Sequence, residues 1–314
     1  MSTGVSIEHR ETFACFGSEC TVIVADERDA EAARAVALAR RRLLAWHRQF
    51  SRFEPDSELS RLNADPRPTV PVSAMMRRVV QAAIGAAQAT AGLVDPTLVA
   101  EIEQAGYGSH LEPGGGPPLS VAVALAPPRQ PARPHATPAW RDVSADRRAG
   151  TVTRPTAVRL DLGGIAKGVF ADELAASLGG FGAFVVDCAG DLRLGGASSV
   201  VRQVHVASPF DDRTVHTLEL AAGGVATSGI GRRSWLDANG RVAHHLLDPR
   251  TGQPAFTGVV QATALAPTAA QAEALSKAAI LSGPAAAEGI LLAGGVLVLE
   301  DGSHRVVLKR PSGV

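Results

Sequence analysis

Residues 161–168 read DLGGIAKG and join a predicted buried strand, 158–162, to a predicted helix. That helix carries Phe170 and Leu174 on one face and ends at a pair of glycines. Glycines that follow a strand let backbone N–H groups approach phosphate oxygens, and a helix N-terminus favours negative charge. The stretch indicates either a phosphate-binding turn, with Lys167 as a mobile positive charge, or a tight turn with a surface lysine.

Strand and helix signals alternate on both sides of this stretch. The predicted strands are short apolar or β-branched runs at 21–24, 184–187, 204–207 and 215–220. Apolar residues three and four apart predict helices at 31–50 and 271–281, and Ser73 precedes a third helix as its N-cap. Turn signals at 237–240 and 301–302 predict antiparallel hairpins. The sequence therefore predicts an α+β fold with mixed, largely antiparallel sheets and packed helices.

The stretch from 112 to 138 is dense in proline, glycine and alanine. We interpret it as an irregular surface insertion around a short strand at 121–125, and not as a domain boundary. The chain shows no internal repeat, and its 314 residues suffice for one large domain or two small ones.

Composition excludes several classes of function. The 31 basic and 31 acidic side chains cancel and aromatic residues make up 4%, so neither nucleic acid nor an anionic membrane is an expected partner. No apolar stretch reaches the length of a membrane span, and residues 1–11 are polar, unlike a signal peptide. Cys15, Cys20 and Cys188 fit no metal or redox spacing and are interpreted as ordinary reduced thiols. We therefore expect a cytoplasmic protein.

A second informative stretch, HLLDPRTG at 245–252, places a histidine, an aspartate and an arginine around a proline turn. His244 and His245 are adjacent on a predicted strand and point to opposite faces, so only one of them can face a site. Such a histidine is either a general base for a hydroxyl group or a structural side chain whose hydrogen bonds are satisfied.

Three further groups of residues allow both a structural and a functional interpretation. Asp191 follows a predicted strand and either caps a turn or faces a site. Thr227 and Ser228 supply hydroxyls in a small-residue turn, but no histidine–aspartate pair accompanies them, which argues against a triad nucleophile. Glu273 and Lys277 are four residues apart on a helix, which by itself indicates an exposed ion pair worth about 0.3 kcal/mol.

The order of these motifs resembles that of the bacterial FAD:protein FMN transferases, the ApbE family, over most of the chain. Seven segments occur in the family order: FGS at 16–18, where the family usually has Met-Gly-Thr, PDSELSRLN within 51–63, TAGLVDPT at 90–97, DLGGIAKG at 161–168, AGD at 189–191, ATSG at 226–229 and HLLDPRTG at 245–252. Chance agreement of so many ordered segments is improbable.

The resemblance implies a T-fold-like flavin transferase architecture in a single domain over 13–314. It implies a reaction in which the FAD pyrophosphate is cleaved, FMN is attached to a serine or threonine of an acceptor protein, and AMP leaves. It also implies a divalent metal ion, usually Mg²⁺, because cleavage of a pyrophosphate requires neutralisation of the charge on its oxygens.

The resemblance further assigns roles to individual residues. His245 is the implied general base for the acceptor hydroxyl, and Gly164 offers a backbone carbonyl to the metal. Phe53 lies where the family often has an aromatic ring against the flavin or the adenine. The implied FAD-binding residues are Phe16, Phe53, Thr90, Gly92, Asp95, Asp161, Lys167, Thr227 and Ser228.

One segment departs from the family pattern. Where the family reads Ala-Asp-Ala-Leu-Ala-Thr, with its Asp and Thr as metal ligands, this chain reads AEALSK at 272–277. Glu273 can still bind a metal through its longer arm, but the protonated amine of Lys277 has hydrogen-bond donors only. Lys277 therefore either takes the place of the metal and binds the pyrophosphate or disables the site. We expect Mg²⁺ dependence to be weakened or altered.

Two alternatives to transfer remain open at this point. In an FAD pyrophosphatase, water replaces the acceptor hydroxyl, and free FMN and AMP are released. A non-catalytic flavin-binding protein leaves FAD intact, and the altered pair Glu273 and Lys277 favours this alternative. The polar N-terminus differs from that of exported, lipid-anchored members of the family, which predicts an acceptor in the cytoplasm.

Overall fold

The computed structural model describes residues 6–109 and 116–309. Its helices are α1 (Asp29–Phe50), α2 (Glu58–Ala64), α3 (Ala74–Ala89), α4 (Val99–Gln104), α5 (Leu119–Ala124), α6 (Ala166–Leu178), α7 (Ala269–Ser282) and α8 (Pro284–Ile290). Its strands are β1 (Ile7–Cys15), β2 (Ser18–Asp26), β3 (Thr69–Pro71), β4 (Ser144–Asp146), β5 (Thr151–Thr153), β6 (Ala183–Cys188), β7 (Asp191–Gly195), β8 (Arg202–Ala207), β9 (Thr214–Leu220), β10 (Gly223–Gly229), β11 (Ser234–Leu236), β12 (Val242–His244), β13 (Leu247–Asp248), β14 (Gln253–Pro254), β15 (Val259–Ala266), β16 (Gly295–Leu299) and β17 (His304–Val307).

The centre of the fold is an eight-stranded sheet in the order β1-β2-β6-β7-β10-β15-β16-β17, in which neighbouring strands are antiparallel. Helix α1 packs against β1 and β2, α6 against β6 and β7, and α7 against β10 and β15. Helices α1 and α7 both contact α6, so the three helices form one layer on the sheet. The predicted α+β class with largely antiparallel sheets is confirmed.

Side-chain spacing explains which face each helix buries. The buried residues of α1 are three, four or seven positions apart: Ala32, Val36, Ala39, Leu43 and Phe50. This spacing places them on a single stripe of the helix, which faces the sheet. At the start of α3, the side chain of Ser73 accepts a hydrogen bond from the N–H of Met76, which confirms Ser73 as the N-cap.

Two hairpins of the large sheet turn through two residues each, at the same end of the sheet. Phe16 and Gly17 join β1 to β2 with φ angles of 55° and 72°. Ala189 and Gly190 join β6 to β7 with φ angles of 58° and 94°. Positive φ at both central residues is the type I′ geometry, which matches the twist of antiparallel strands. Because the start of β2 pairs with the end of β6, the two turns are neighbours.

The strand predicted at 158–162 is wrong, although Leu160 and Leu162 are both buried. The side-chain amide of Asn63 makes both hydrogen bonds to the backbone of Leu160, at 2.8 and 2.9 Å. These two hydrogen bonds take the place of those that a neighbouring strand would make with Leu160. The stretch 161–168 is thus preceded by an extended segment that belongs to no sheet.

The short strand predicted within the proline-rich stretch 112–138 is also wrong. Residues 112–115 lie outside the described residues, and 121–125 lie in and just after α5. The buried residues of this helix are Leu119 and Ala122, which are three apart, so the burial follows a helical period instead of an alternating one.

Over residues 6–109 and 116–309, no helix is both long enough and apolar enough to cross a bilayer. Cys15, Cys20 and Cys188 are free thiols, and the structure shows in addition that all three are buried. The cytoplasmic location and the single domain over 13–314 stay predictions.

A buried arginine connects the segment before residue 161 to the end of α2. Arg154 is 1% exposed, and its guanidinium donates to the carbonyl oxygens of Leu62 (2.6 Å), Asp65 (2.9 Å) and Thr156 (3.0 Å). Buried carbonyl groups need hydrogen-bond donors. This one side chain therefore stabilises several turns whose carbonyl groups would otherwise lack a donor.

We expect Arg154→Met to lower the free energy of unfolding by about 3 kcal/mol, because several buried carbonyl groups lose their donor at about 1–3 kcal/mol each. Urea unfolding followed by circular dichroism measures the change. Arg147→Met, at an exposed arginine, is the matched control and should change stability by less than about 0.5 kcal/mol. Equal stability of the two variants would contradict the role given to Arg154.

Candidate active site

The stretch 161–168 forms the approach to α6. The carboxylate of Asp161 accepts a hydrogen bond from the N–H of Gly163 (2.8 Å), and the N–H of Asp161 donates to the carbonyl of Pro96 (2.8 Å). Helix α6 then begins, with Lys167 in its first turn. A glycine-containing turn at a helix N-terminus is therefore present, as the sequence indicated, and such a turn favours an anion.

Gly168 brings α6 against the start of α7. A Cβ atom built on this glycine would lie 2.7 Å from the backbone N and Cα of Ala270, so no larger residue fits without a shift. The carboxylate of Asp172 accepts hydrogen bonds from the N–H groups of Ala269 (2.9 Å) and Ala270 (3.0 Å). Because the first N–H groups of a helix have no partner within it, Asp172 caps α7 from outside. Because Asp172 and Lys167 both belong to α6, these two hydrogen bonds fix the position of α7 relative to Lys167.

Four charged side chains meet where α6, α7 and β7 come together. The ammonium of Lys167 contacts the carboxylate of Asp191 and lies 3.5 Å from Oε1 of Glu273. Lys277 donates to the same Oε1 (3.0 Å), and the N–H of Gly168 donates to Oε2 (2.8 Å). The most exposed of the four side chains, Lys167, is 16% exposed. A surface lysine at 167 and an exposed ion pair at 273 and 277 are therefore excluded.

The charges of this cluster are maintained by mutual attraction. Burial lowers the pKa of Lys167, but the carboxylates of Asp191 and Glu273 outweigh burial and hold this pKa above its ordinary value. Burial raises the pKa of Glu273, but Lys277 and Lys167 outweigh it and hold this pKa well below its usual range. Burial, and then the charge of Glu273, raise the pKa of Asp191. Among the described residues, Oδ1 of Asp191 has no hydrogen-bond partner.

Thr227 and Ser228 lie in β10, and not in the turn that the sequence indicated. The hydroxyl of Thr227 pairs with that of Thr263 in β15 (2.8 Å), and the hydroxyl of Ser228 pairs with that of Ser276 in α7 (2.8 Å). Because Ser276 directly precedes Lys277, Ser228 lies in the wall that supports the charged cluster.

The structure separates the two adjacent histidines. His244 is 1% exposed and lies edge-on to Phe256, with ring centroids 4.7 Å apart, and burial lowers its pKa to about 3. His245 is less buried, and its Nδ1 lies 3.4 Å from the carbonyl oxygen of Arg233. Burial, and then the charges of Arg233 and Lys277, lower the pKa of His245 well below its ordinary value. A neutral His245 therefore lies within electrostatic reach of Lys277.

A second group of predicted residues gathers around Asp161. The guanidinium of Arg52 lies 3.2 Å from the carboxylate of Asp161 and 4.5 Å from the ring centre of Phe53. Phe53 packs edge-on against Tyr107, and Tyr107 stacks on Trp235, with ring centroids 5.3 Å apart in both pairs. Arg52 thus connects Asp161 to Phe53. We call Phe53, Tyr107 and Trp235 the aromatic wall.

Arg52, Tyr107 and Trp235 are absent from the residues that the sequence pointed to. Tyr107 is the single tyrosine of the chain and stands between two glycines, a signal that was available. Arg233 donates to the carbonyl of Phe16 (3.1 Å), a contact between residues 217 positions apart that no local pattern indicates. The ring of Phe16 itself stacks on Phe170 in the helical layer, with centroids 5.6 Å apart.

Thr90, Gly92 and Asp95 lie in and after the turn that ends α3. The hydroxyl of Thr90 makes two hydrogen bonds, at 2.7 and 3.1 Å, that close the end of this helix. Burial raises the pKa of Asp95. The segment reaches the site through Pro96, whose carbonyl accepts the hydrogen bond from Asp161 described above. The structure thus connects this segment to Asp161 through Pro96, and Thr90, Gly92 and Asp95 stay predicted site residues.

Gly164, Glu273 and Lys277, the implied metal positions, are neighbours, since a Cβ built on Gly164 would lie 3.7 Å from Cε of Lys277. They do not fit a divalent cation, because both carboxylate oxygens of Glu273 already accept hydrogen bonds and two ammonium groups stand beside them. Across the described parts of the chain, no group of three or more His, Cys, Asp or Glu side chains can hold an ion. Mg²⁺ prefers about six oxygen ligands at about 2.1 Å, which this set of donors does not offer.

Comparison with known proteins gives a consistent result. Residues 16–296 match the family model described as the ApbE family. A FAD:protein FMN transferase of Klebsiella pneumoniae is 30% identical over 261 residues, which cover 81% of this chain and 72% of the relative. A FAD:protein FMN transferase of Haemophilus influenzae is 29% identical over 239 residues, which cover 72% of this chain and 66% of the relative.

Two crystal structures share the fold. The ApbE protein of Thermotoga maritima superposes with a TM-score of 0.75 at 24% identity, over 96% of this chain and 97% of that one. The apo form of the flavinyl transferase ApbE of Pseudomonas stutzeri superposes with a TM-score of 0.73 at 23% identity, over 98% of this chain and 96% of that one. At these identities the likeness establishes the architecture alone.

We expect Gly168→Ala to lower the free energy of unfolding by about 1–3 kcal/mol, because the added Cβ forces α6 away from α7. Urea unfolding measures the change. At Gly180 an added Cβ meets nothing within 4 Å, so Gly180→Ala is the matched control. An unchanged unfolding midpoint for Gly168→Ala would contradict the close approach of the two helices.

Proposed function

The chain belongs to the ApbE family, and from that premise we propose that it is a FAD:protein FMN transferase. It cleaves the FAD pyrophosphate, attaches the FMN half to an acceptor protein and releases AMP. The observation that carries the proposal is the pair of buried ammonium groups, Lys167 and Lys277, beside the neutral His245. A pyrophosphate needs fixed positive charge and a hydroxyl nucleophile needs a base, and these three side chains offer both.

The reaction is an in-line displacement at the phosphorus of the FMN half. The oxygen of a serine or threonine hydroxyl on the acceptor forms the new P–O bond, and the bond from this phosphorus to the bridging oxygen breaks. AMP leaves with the bridging oxygen, and the hydroxyl proton passes to His245. Because the phosphoryl oxygens carry the charge of the transition state, the protein contributes placement and electrostatic stabilisation.

The carbonyl group of Arg233 determines the tautomer of His245. A carbonyl oxygen only accepts hydrogen bonds, so Nδ1, which lies 3.4 Å from it, carries the ring proton. Nε2 is then unprotonated and takes the proton of the acceptor hydroxyl. The neutral state of the ring at pH 7 follows from its burial and from the positive charges of Arg233 and Lys277.

The charged cluster and the residues around Asp161 make the remaining proposed contacts with FAD. Lys167 binds phosphate oxygens, and Asp161 with Phe53 holds a ring system of FAD against the aromatic wall. The support for this pairing is Arg52, which contacts both side chains. The other residues proposed to line the pocket are Phe16, Thr90, Gly92, Asp95, Thr227 and Ser228.

The proposed mechanism assigns each step to side chains of this protein. Because Glu273 and Lys277 do not fit a divalent cation, we expect the dependence on Mg²⁺ to be weakened or altered. FAD hydrolysis and flavin binding without catalysis are not favoured, since the relatives are named for transfer.

Incubation of the purified protein with FAD and a flavin-free bacterial lysate, the source of acceptor, tests the proposed function. Transfer produces AMP, seen by chromatography, together with a protein band that keeps flavin fluorescence after denaturing electrophoresis. AMP with free FMN and no fluorescent band would contradict transfer and establish hydrolysis. Intact FAD that stays bound to the protein, without a fluorescent band, would contradict transfer and favour a flavin-binding protein.

We expect His245→Ala to reduce the rate of transfer at least about 100-fold, the usual contribution of a general base, while FAD affinity stays within about twofold. Fluorescence titration gives the affinity, and in-gel flavin fluorescence gives the rate. His304→Ala, at an exposed histidine of β17, is the matched control and should keep full activity. Full activity in His245→Ala would refute its role as the base.

The rate of transfer should be the same at about pH 6 as at about pH 7.5, because the neutral form of His245 is lost only as the pH falls through its lowered pKa. Arg233→Met removes a positive charge beside the ring, which raises this pKa and moves the acid limb of the pH profile upward. Arg232→Met is the control, because it removes a positive charge that acts on Asp187. If the wild-type rate fell by half near pH 6.5, His245 would be titrating there, which would contradict its lowered pKa.

A further inference from the structure

Lys277 has hydrogen-bonding capacity that its own protein neighbours do not use. Its ammonium has three N–H donors, and within the described part of the chain its hydrogen-bond partner is Glu273 alone (3.0 Å). The side chain is 10% exposed, so bulk water reaches little of it. Opposite it, Gly164 has no side chain, and a Cβ there would lie 3.7 Å from Cε of Lys277. The backbone of Gly164 is therefore the neighbour of this side chain, and no side-chain group at position 164 competes for its donors.

The arrangement of charges indicates what kind of ligand completes the cluster. Asp191 contacts Lys167, whereas Glu273 is shared between Lys277 at 3.0 Å and Lys167 at 3.5 Å. Glu273 also accepts the N–H of Gly168, so its negative charge is divided among three donors. Buried charges require well-paired partners. The cluster has unused capacity at two places: Oδ1 of Asp191 has no hydrogen-bond partner among the described residues, and the ammonium of Lys277 has one. At the Lys277 end, an anion completes the pairing.

We propose that the ammonium of Lys277 is the resident cation of the pocket and binds the diphosphate of FAD directly, so that FAD binding and FMN transfer need no divalent metal ion. This inference rests on the proposed function. Together, Lys167 and Lys277 carry two positive charges, which Asp191 and Glu273 balance as carboxylate ligands would balance one divalent ion. Their N–H groups donate to non-bridging phosphate oxygens, which is where phosphoryl transfer accumulates negative charge.

FAD binding measured by flavin fluorescence provides a test that does not depend on turnover. The wild-type protein is titrated with FAD in EDTA and again in Mg²⁺ at millimolar concentration. We expect the two dissociation constants to agree within about twofold, because the cation is part of the chain. A wild-type affinity that falls tenfold or more in EDTA would overturn the inference.

Variants of the pair at 273 and 277 provide the complementary measurement. The double variant Glu273→Asp/Lys277→Thr restores an oxygen donor at both positions, and we expect its FAD affinity to rise at least about tenfold when Mg²⁺ is added. Lys277→Met removes the charge without supplying a ligand, so it should lose affinity about tenfold with or without Mg²⁺. Lys277→Arg keeps the charge and is the conservative control, with a metal-independent affinity. Circular dichroism checks that each variant is folded.

Binding of Mn²⁺ without FAD gives a direct spectroscopic measurement. Electron paramagnetic resonance should show no bound Mn²⁺ in the wild-type protein and one bound ion in the double variant. Mn²⁺ bound by the wild-type protein and lost in Lys277→Met would overturn the inference, because Lys277 would then support a metal site. If a variant fails to fold, the wild-type titrations in EDTA and Mg²⁺ remain decisive on their own.

Failure of this inference is distinguishable from failure of the proposed function. Metal-independent FAD binding without any labelled acceptor supports the resident cation and contradicts transfer. Metal-dependent FAD binding with a labelled acceptor supports transfer and overturns the resident cation. Absence of FAD binding under both conditions overturns both.

Discussion

The hydrogen bond from the N–H of Gly168 to the buried carboxylate of Glu273 is the contact on which the site depends. It satisfies one of the N–H groups that a helix N-terminus leaves without an internal partner, and it places a full negative charge at the positive end of α6. Because Gly168 has no side chain, the two helices approach closely enough for this bond to form. Lys167 is adjacent in sequence and Lys277 is one turn beyond Glu273, so one contact positions both ammonium groups.

Local pattern accounts for much of the fold. The apolar spacing of α1, the N-cap at Ser73 and the Asn-Gly turn between β11 and β12 each depend on neighbours in sequence, and the structure shows all three. The strand expected at 158–162 shows the limit of such reasoning. Its burial was correct, but Leu160 makes its backbone hydrogen bonds with the side chain of Asn63, 97 residues away, and Asp161 donates to the carbonyl of Pro96. Alternating burial does not distinguish a strand from an extended segment held by a side chain.

The site was less predictable from the residues alone. Considered by itself, the spacing of Glu273 and Lys277 indicates a solvated ion pair, because helical spacing carries no information about what covers the helix. The structure buries the pair under α6 and adds Lys167, whose contact with Asp191 joins residues 24 positions apart in different elements. The family resemblance identified the segments, and tertiary packing determined which charges meet. Tyr107, between its two glycines, was the clearest signal that was overlooked.

The two-residue turns at Phe16-Gly17 and Ala189-Gly190 make one end of the large sheet rigid. A loop of two residues with both φ angles fixed has almost no conformational freedom left to lose. Binding next to such turns therefore carries little ordering entropy, and the affinity gained from each contact is largely retained. By the same reasoning, this end of the sheet does not reshape around a ligand that binds next to it, so it favours ligands that already fit.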